Sequence, residues 1–228
     1  MSTQEESKTD EEEFKVELLP EDYAQYDLSF KLIVIGDSGV GKSCLTTKAV
    51  KNNFEDYYQS TDGFEFLTFN MKINEYVIKM QIWDTCGQEI YKSLISNFYR
   101  NSSLAIILYS IDNKDSFEHA ENWLTDLKSQ ANPDVRIFLV GNKCDLESER
   151  KISVEMGENK AKNLGFAFFE TSALSNIQIG KVFEVVTEEI FNKFKNEKID
   201  DDDDDYDIIQ ENKPTIINTD EKPKQQCC

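Results

Sequence analysis

Long apolar runs are missing from the 228-residue sequence, and no stretch reaches the about 18 residues that a membrane-spanning helix needs. The N-terminal segment is acidic and lacks the basic and apolar regions of a signal peptide, so we expect a cytosolic protein. Basic residues are also few, since 25 Lys and Arg stand against 44 Asp and Glu and the formal net charge is -19. This charge argues against nonspecific binding to DNA or RNA, and we expect no nucleic-acid partner.

Cysteines are scarce as well, and the spacing of the five is not that of a zinc site. In a reducing compartment all of them are expected to be thiols. Cys227 and Cys228 are adjacent at the end of the sequence, far from Cys44, Cys86 and Cys144. This pair therefore requires an explanation of its own.

The negative charge is concentrated in both ends of the sequence. Residues 1–27 contain 10 acidic and 2 basic residues, and residues 197–228 contain 11 acidic and 4 basic residues, including an aspartate run at 200–205. Such segments cannot bury enough apolar surface to fold. We therefore predict a disordered acidic extension at 1–27, one globular domain at 28–196 and a disordered, acidic, hypervariable tail at 197–228.

The middle of the chain alternates short β-branched or aromatic runs with longer segments of helical pattern. The runs at 30–35, 104–109, 135–140 and 166–169 are typical of strands buried on both faces, and the segments at 42–51, 114–130, 153–163 and 177–195 favour helices. Two further segments, at 64–71 and 76–83, alternate around a turn and predict a hairpin that adds one antiparallel strand. The sequence thus predicts an α/β fold with a mixed six-stranded sheet and helices on both faces.

A complete phosphate-binding motif, G-x-x-x-x-G-K-S, follows the first predicted strand and precedes the first helix. Its glycines allow backbone N–H groups to point at phosphate, and the N-terminus of the helix adds the positive end of its dipole. Lys42 is expected to reach the β and γ phosphates, and Ser43 to provide an oxygen ligand for Mg²⁺. The predicted phosphate-binding residues are Gly36, Asp37, Ser38, Gly39, Val40, Gly41, Lys42 and Ser43.

A second motif, Asn142-Lys143-Cys144-Asp145, directly follows a buried strand. It indicates which base a bound nucleotide carries. Side chains in that position lie at the carboxyl edge of the sheet, where α/β folds bind ligands. The Asp145 carboxylate can accept hydrogen bonds from both the N1–H and the exocyclic amine of guanine. Adenine has no such pair of donors and would leave the carboxylate unpaired, so the motif predicts a guanine nucleotide.

Together these motifs resemble those of the small GTPases of the Ras superfamily, and most closely those of Rab proteins, over residues 28–195. The resemblance implies a P-loop NTPase G domain, with GTP and GDP as substrate and product and Mg²⁺ as cofactor. Asp84-Thr85-Cys86-Gly87-Gln88 resembles D-T-A-G-Q, and Glu170-Thr171-Ser172-Ala173 resembles E-T-S-A. By this resemblance Phe54 packs on the guanine, Thr61 joins the Mg²⁺ shell and Asp84 holds Mg²⁺ through water. The implied nucleotide-binding residues beyond the first motif are Cys44, Phe54, Thr61, Gly87, Asn142, Lys143, Asp145, Ser172 and Ala173.

Catalysis is implied to depend on Gln88, which orients the attacking water, while the Gly87 amide contacts the γ-phosphate. A glutamine and Mg²⁺ provide only part of the required charge neutralisation. No arginine occurs between Phe30 and Tyr99, so an arginine from a GTPase-activating protein is the expected supplement, worth ~10³ to 10⁵ in rate. The alternative is a GTP-binding protein that recruits partners but hardly hydrolyses its nucleotide.

Several other positions bear on the subfamily and on partners. The sequence KMQIW at 79–83 is close to the K-L-Q-I-W of Rabs, whereas Asp62 and Phe64 replace the usual Ile and Val on the expected effector surface. A set of aromatic residues forms either a hydrophobic partner patch or part of the hairpin core, and both alternatives stay open: Tyr57, Tyr58, Phe64, Phe66 and Trp83. We interpret His119, on the helix at 114–130, as a surface residue.

The Cys227-Cys228 pair resembles the double-cysteine end of Rabs that carries two geranylgeranyl groups, and a C-a-a-X box is absent. Two lipid chains anchor a protein stably, whereas one chain binds only marginally. The resemblance implies a monomeric, prenylated switch of vesicle transport on the cytoplasmic face of intracellular membranes, cycling with the cytosol. The implied partners are an exchange factor, a GTPase-activating protein, effectors, the prenylation machinery and a GDI-type chaperone.

Two other branches of the superfamily fit less well. The nuclear-transport branch has an acidic C-terminal tail, but the paired cysteines and the KMQIW sequence fit Rabs better. A Rho GTPase needs an inserted helix, for which residues 146–150 leave no room before the next helical segment.

Overall fold

The computed structural model describes residues 16–20, 23, 25–51, 64–85 and 98–200. By compactness the chain divides into residues 1–193 and residues 194–228. Predictions that concern residues outside the described ranges stay predictions, among them the disorder of the tail beyond residue 200, and so do the predicted domain boundaries.

A seven-stranded sheet forms the centre of the first unit, in the order β1-β3-β4-β2-β5-β6-β7. β2 pairs in parallel with β4 and β5, and the parallel pairing continues from β5 through β6 to β7. β3 is antiparallel to both of its neighbours, β1 and β4. The strands are β1 (Val16–Leu18), β2 (Leu28–Ile35), β3 (Phe64–Ile73), β4 (Tyr76–Thr85), β5 (Leu104–Ser110), β6 (Arg136–Asn142) and β7 (Ala167–Thr171).

The mixed α/β sheet confirms the predicted fold class, but the predicted number of six strands is wrong by one. The additional strand, β1, lies inside the segment 1–27, for which we expected no structure, and pairs with residues 71–73 of β3. The backbone N–H of Leu19 continues this pairing by donating to the Asn70 carbonyl at 2.9 Å. β1 satisfies backbone groups at the edge of β3, and three residues are too short to carry a periodic sequence signal.

Four α-helices of ten or more residues occur among the described residues, besides a short 3₁₀ helix at Glu147–Glu149, and local sequence explains where two of the four begin. The Asn113 side chain accepts hydrogen bonds from two backbone N–H groups of the first turn of α2, and the Ser153 hydroxyl accepts one from Met156 at the start of α3. α3 ends at Gly165, whose φ of 75° is the left-handed conformation that glycine adopts readily. The helices are α1 (Lys42–Lys51), α2 (Lys114–Lys128), α3 (Val154–Leu164) and α4 (Ile179–Asp200).

Apolar side chains on both faces of the sheet explain why β2 reads as a continuous apolar run. Leu32 and Val34 belong to a buried cluster on one face, with Val182 and Phe183 of α4. The alternate residues of β2 belong to a cluster on the other face, with Trp123 of α2. Helices therefore cover both faces, as predicted, and the carboxyl ends of the parallel strands are left to position side chains at one edge. None of the helices in the described ranges is long and apolar enough to cross a membrane.

Candidate functional site

The loop between β2 and α1 has a backbone that only glycine can form at its critical positions. Gly36 has a φ of 144°, and a Cβ atom there would lie 2.1 Å from the backbone oxygen of Leu108 on β5. Gly41 has a φ of 96°, and its Cβ would lie 2.4 Å from the side-chain nitrogen of Asn142. Ser38 and Gly39 lie exposed at the tip of the loop. The backbone is thus held against β5 at its beginning and against β6 at its end.

Lys42 is the first residue of α1, and only 5% of its surface is exposed. Its Nζ donates to the carbonyl oxygens of Gly36 at 2.9 Å and Asp37 at 2.8 Å. Two carbonyl groups at the start of the loop therefore hold the ammonium group, and its charge lies beside the N-terminus of α1. An anion such as a phosphate is favoured there by the lysine charge and by the helix dipole.

Asn142, the last residue of β6, connects this loop to the neighbouring strand. Its Nδ2 donates to the Val40 carbonyl at 2.9 Å, and its Oδ1 accepts from the Thr171 hydroxyl at 3.1 Å. The side chain is 1% exposed, so both bonds are shielded from water. The sequence motif did not reveal this arrangement, because the partners of Asn142 lie 102 and 29 residues away along the chain.

The loops after β6 and β7 bring Asp145, Ser172 and Ala173 together. The Ser172 hydroxyl donates to Oδ1 of Asp145 at 2.5 Å, and the backbone N–H of Ser175 donates to the same hydroxyl at 2.9 Å. The backbone of Cys144 donates to the Thr171 carbonyl at 3.0 Å, which holds the first loop against β7. Asp145 is therefore oriented by a neighbouring loop before any base is bound. Lys143, in the loop after β6, has a φ of 64°. Cys44 of α1 and Cys144 of the loop are half-buried thiols, and burial raises the pKa of each.

Arg150 ties the loop after β6 to β7, and no sequence pattern indicated this residue. Its guanidinium donates two parallel hydrogen bonds to the Glu170 carboxylate, at 2.7 and 2.8 Å, and a third to Glu147 at 2.7 Å. The hydrogen bonds that Arg150 donates to these carboxylates raise its pKa, so it stays charged. A bidentate, largely buried pair of this kind has a defined geometry and positions the chain on either side of the base-binding loop.

Asp84, near the end of β4, is fully buried beside the start of α1. One of its carboxylate oxygens accepts a hydrogen bond from Ser43, and the other has no hydrogen-bond partner among the described residues. Burial raises the pKa of Asp84 to about 6, an effect that the Ser43 hydrogen bond and the Lys42 charge partly offset. A buried carboxylate oxygen without a partner, next to a serine hydroxyl, suits a hard divalent cation such as Mg²⁺.

The remaining predicted site residues lie outside the described ranges. They are Phe54, Thr61, Gly87, Gln88, Cys227 and Cys228, together with Tyr57 and Tyr58 of the aromatic set. Within the described ranges, no cluster of three or more metal-ligating side chains occurs.

Phe64, Phe66, Trp83 and Phe98 form one cluster, in which Phe64 and Phe66 are exposed while Trp83 and Phe98 are half-buried against the core. Phe64 and Phe66 on β3 are 48% and 47% exposed, which is more typical of a contact surface than of a core. The ring centroid of Trp83 lies 5.4 Å from Phe64, 5.2 Å from Phe66 and 5.1 Å from Phe98. Phe98 was not part of the predicted set, because it lies far away in the sequence.

Comparison of the sequence with those of known proteins identifies the family of this chain. Residues 31–192 match the family model described as the Ras family. The chain is 38% identical over 204 residues to Ras-related protein RABA5d of Arabidopsis thaliana, which covers 87% of this chain and 93% of the relative. It is 40% identical over 168 residues to Ras-related protein Rab-13 of Bos taurus, which covers 74% of this chain and 83% of the relative. The chain therefore belongs to the Ras family, and it is a Rab-like small GTPase.

Proposed function

We propose that this GTPase is a Mg²⁺-dependent, prenylated switch of vesicle-mediated transport. The binding of a nucleotide is supported by a continuous set of hydrogen bonds from Val40 through Asn142 to Thr171. These bonds join the phosphate loop to the strand that leads into the base-binding loop. A ligand with phosphates at one end and a guanine at the other matches the two ends of this arrangement.

The phosphate end is assigned to the loop between β2 and α1. Backbone N–H groups and the Lys42 ammonium would bind the β and γ phosphates. Ser43 and Asp84 would hold Mg²⁺, with Thr61 completing the set in the GTP state. The ion, when bound, neutralises phosphate charge that the protein alone would leave uncompensated.

Hydrolysis then requires little covalent chemistry from the protein. Water attacks the γ-phosphorus, and the bond from that phosphorus to the oxygen bridging the β and γ phosphates breaks. Gln88 is proposed to orient the water and the Gly87 amide to bind the γ-phosphate. Further stabilisation is assigned to an arginine of a GTPase-activating protein, since the segment from Phe30 to Tyr99 contains none.

The first prediction tests the cation. Chelation of Mg²⁺ from the GDP-loaded protein is expected to speed GDP dissociation about 10²-fold, because the ion contributes several kcal/mol to phosphate binding. In the Asp84→Asn variant dissociation should already be fast and should respond little to chelation. The measurement is displacement of a fluorescent GDP analogue by unlabelled GDP, with and without EDTA.

The matched control for this prediction is Asp115→Asn, because Asp115 is an exposed aspartate in the first turn of α2. It should dissociate GDP at the unmodified rate and respond to EDTA in full. Equal dissociation rates with and without EDTA in the unmodified protein would contradict the proposed Mg²⁺ site.

Partners and location are proposed from the Rab-like membership and from the aromatic cluster. The exposed Phe64 and Phe66, which pack against the half-buried Trp83, offer an apolar surface to effectors that recognise the GTP state. An exchange factor, a GTPase-activating protein, the prenylation machinery and a GDI-type chaperone complete the proposed cycle, with the GTPase acting as a monomer. Cys227 and Cys228 are proposed to carry two prenyl groups that hold it on the cytoplasmic face of intracellular membranes.

The second prediction concerns this anchor. After incubation with the prenylation machinery, the variant with both Cys227→Ser and Cys228→Ser should stay entirely in the soluble fraction in liposome flotation. Replacing one should leave weak, exchangeable binding, since one chain anchors only marginally. Serine at the neighbouring Gln225 and Gln226 is the control and should not alter flotation. If the double variant floated as the unmodified protein does, the proposed anchor would be wrong.

A further inference from the structure

The Asp37 side chain of the phosphate loop is held by two residues of α2. Oδ1 of Asp37 accepts a hydrogen bond from Trp123 Nε1 at 2.7 Å, and Oδ2 lies 2.7 Å from His119 Nδ1. His119 and Trp123 are four residues apart, so they project from the same face of the helix. Both oxygens of one carboxylate are thus occupied from one helix, 82 and 86 residues further along the chain.

Both contacts fix the orientation of the Asp37 carboxylate. The Trp123 indole is a donor only, its side chain is 2% exposed, and a carboxylate is its natural acceptor. An ionised carboxylate has no proton to donate, so Nδ1 of His119 is the donor in the second contact. Bonds of this length to an ionised acceptor are about twice as strong as bonds between neutral groups.

Asp37 transmits this hold to the phosphate loop through its backbone. Its carbonyl accepts the hydrogen bond from Lys42 Nζ at 2.8 Å. Gly36, the residue before it, lies so close to β5 that a Cβ atom there would be 2.1 Å from the backbone oxygen of Leu108. A displacement of Asp37 would therefore shift the backbone on the Ser38 side and one of the two carbonyls that orient the Lys42 ammonium.

The helix that supplies the two donors is itself tied to the base-binding side. The N-cap of α2 follows Ile111, whose backbone N–H donates to the Asn142 carbonyl at 3.1 Å. Asn142 also bonds Val40 at the other end of the phosphate loop. The loop is consequently held at Val40 from β6 and at Asp37 from α2, and both supports meet near Asn142.

We propose that His119 and Trp123 are positioning residues that keep the phosphate loop in its nucleotide-binding conformation and thereby slow the release of GDP. They act through Asp37. This inference rests on the proposed function, because it requires that the loop binds nucleotide phosphates. His119, which the sequence suggested to be a plain surface residue, is 46% exposed at its side chain but makes this specific contact.

The test measures GDP dissociation from single variants. Trp123→Phe keeps an apolar ring and removes the donor, and His119→Leu removes the other donor from a half-exposed position. Each is expected to speed GDP dissociation about 10-fold to 100-fold, as for loss of one hydrogen bond to a charged group. His119→Asn, which keeps an N–H donor near the place of Nδ1, should restore a rate close to that of the unmodified protein.

A double-mutant cycle separates positioning from general destabilisation. In an Asp37→Ala background, His119→Leu and Trp123→Phe should no longer change the dissociation rate, since their acceptor is gone. The control Glu118→Gln, next to His119 on α2 with a 60% exposed side chain, should leave the rate unchanged. Thermal unfolding of each GDP-free variant shows whether His119→Leu alters the fold.

Two results would overturn the inference in distinguishable ways. If the unmodified protein does not retain GDP, the proposed nucleotide function fails and the positioning role fails with it. If the unmodified protein retains GDP while His119→Leu and Trp123→Phe dissociate at its rate, or if their effects persist in the Asp37→Ala background, the proposed function stands and the positioning role is wrong.

Discussion

Replacing Asp145 with asparagine is expected to weaken GTP binding about 10²-fold to 10⁴-fold. The substitution exchanges one acceptor oxygen for a donor, so one hydrogen bond from guanine is lost and two donors are brought face to face. Hydrogen bonds to charged groups contribute about 1.5 to 3 kcal/mol each, and both bonds of the guanine edge are affected. Xanthine nucleotides, which present a carbonyl where guanine has its amine, should bind better to the variant than to the unmodified protein. Competition against a fluorescent GDP analogue measures both effects.

The structure supplies a matched control for this prediction. Ser172→Ala removes the hydroxyl that orients Oδ1 of Asp145 but leaves the carboxylate in place. It should weaken GTP and GDP binding less than Asp145→Asn does, and should not improve the binding of xanthine nucleotides. ATP is expected to compete poorly with every form. Comparable affinities of the unmodified protein for ATP and GTP would contradict the assignment of Asp145 to the guanine edge.

Replacing Gln88 with leucine is expected to abolish most GTP hydrolysis while GTP and GDP binding persist. The phosphate contacts are assigned to residues 36–43, whereas the orientation of water is assigned to Gln88 alone. The part of hydrolysis that a GTPase-activating protein contributes, ~10³ to 10⁵ in rate, should be lost together with the intrinsic activity. The geometry at the end of β4 favours this role, because Asp84 pairs with Val34 beside the phosphate loop. Gln88 follows Asp84 by four residues, about 13 Å of extended chain at most.

Single-turnover hydrolysis of bound GTP, with and without a GTPase-activating extract, measures this effect. Gln81→Leu is the control, since Gln81 is a glutamine of β4 whose side chain donates to Ser29 on β2. It should hydrolyse GTP at the unmodified rate. If Gln88→Leu also does so, the proposed mechanism is wrong. An unmodified protein that binds GTP but hydrolyses it in neither condition would favour the alternative of a recruiting protein.

Much of the fold was predictable because its signals are local. The alternation of buried strands with helical segments predicted an α/β fold, and α1 was predicted with its observed bounds, Lys42–Lys51. The other helix and strand ends differ by a few residues, as expected where a cap or a bulky side chain decides the last turn. β1 was missed because a three-residue strand has no pattern of its own and forms only where the edge of β3 is available to pair with it.

The candidate site likewise contains features that local sequence predicted and features that it did not. The phosphate loop and the Asn142 to Asp145 motif are continuous in the sequence, so their residue types could be matched to phosphate and guanine directly. Arg150 was not identified, because its partner Glu170 lies 20 residues away and an arginine in a polar loop carries no spacing signal. Phe98 was missed for the same reason in the aromatic cluster.

The order of residue types along this chain by itself determined the strand and helix alternation, the glycines of the phosphate loop and the carboxylate suited to guanine. These depend on backbone sterics and on chemistry between neighbours in the sequence, which any copy of the motif would share. Only the tertiary structure decided that Asp37 bonds His119 and Trp123, that Asn142 joins Val40 to Thr171 and that one oxygen of Asp84 has no partner in the described part of the chain. Such contacts join residues tens of positions apart, and the packing of helices on the sheet sets their distances. No local pattern encodes that packing.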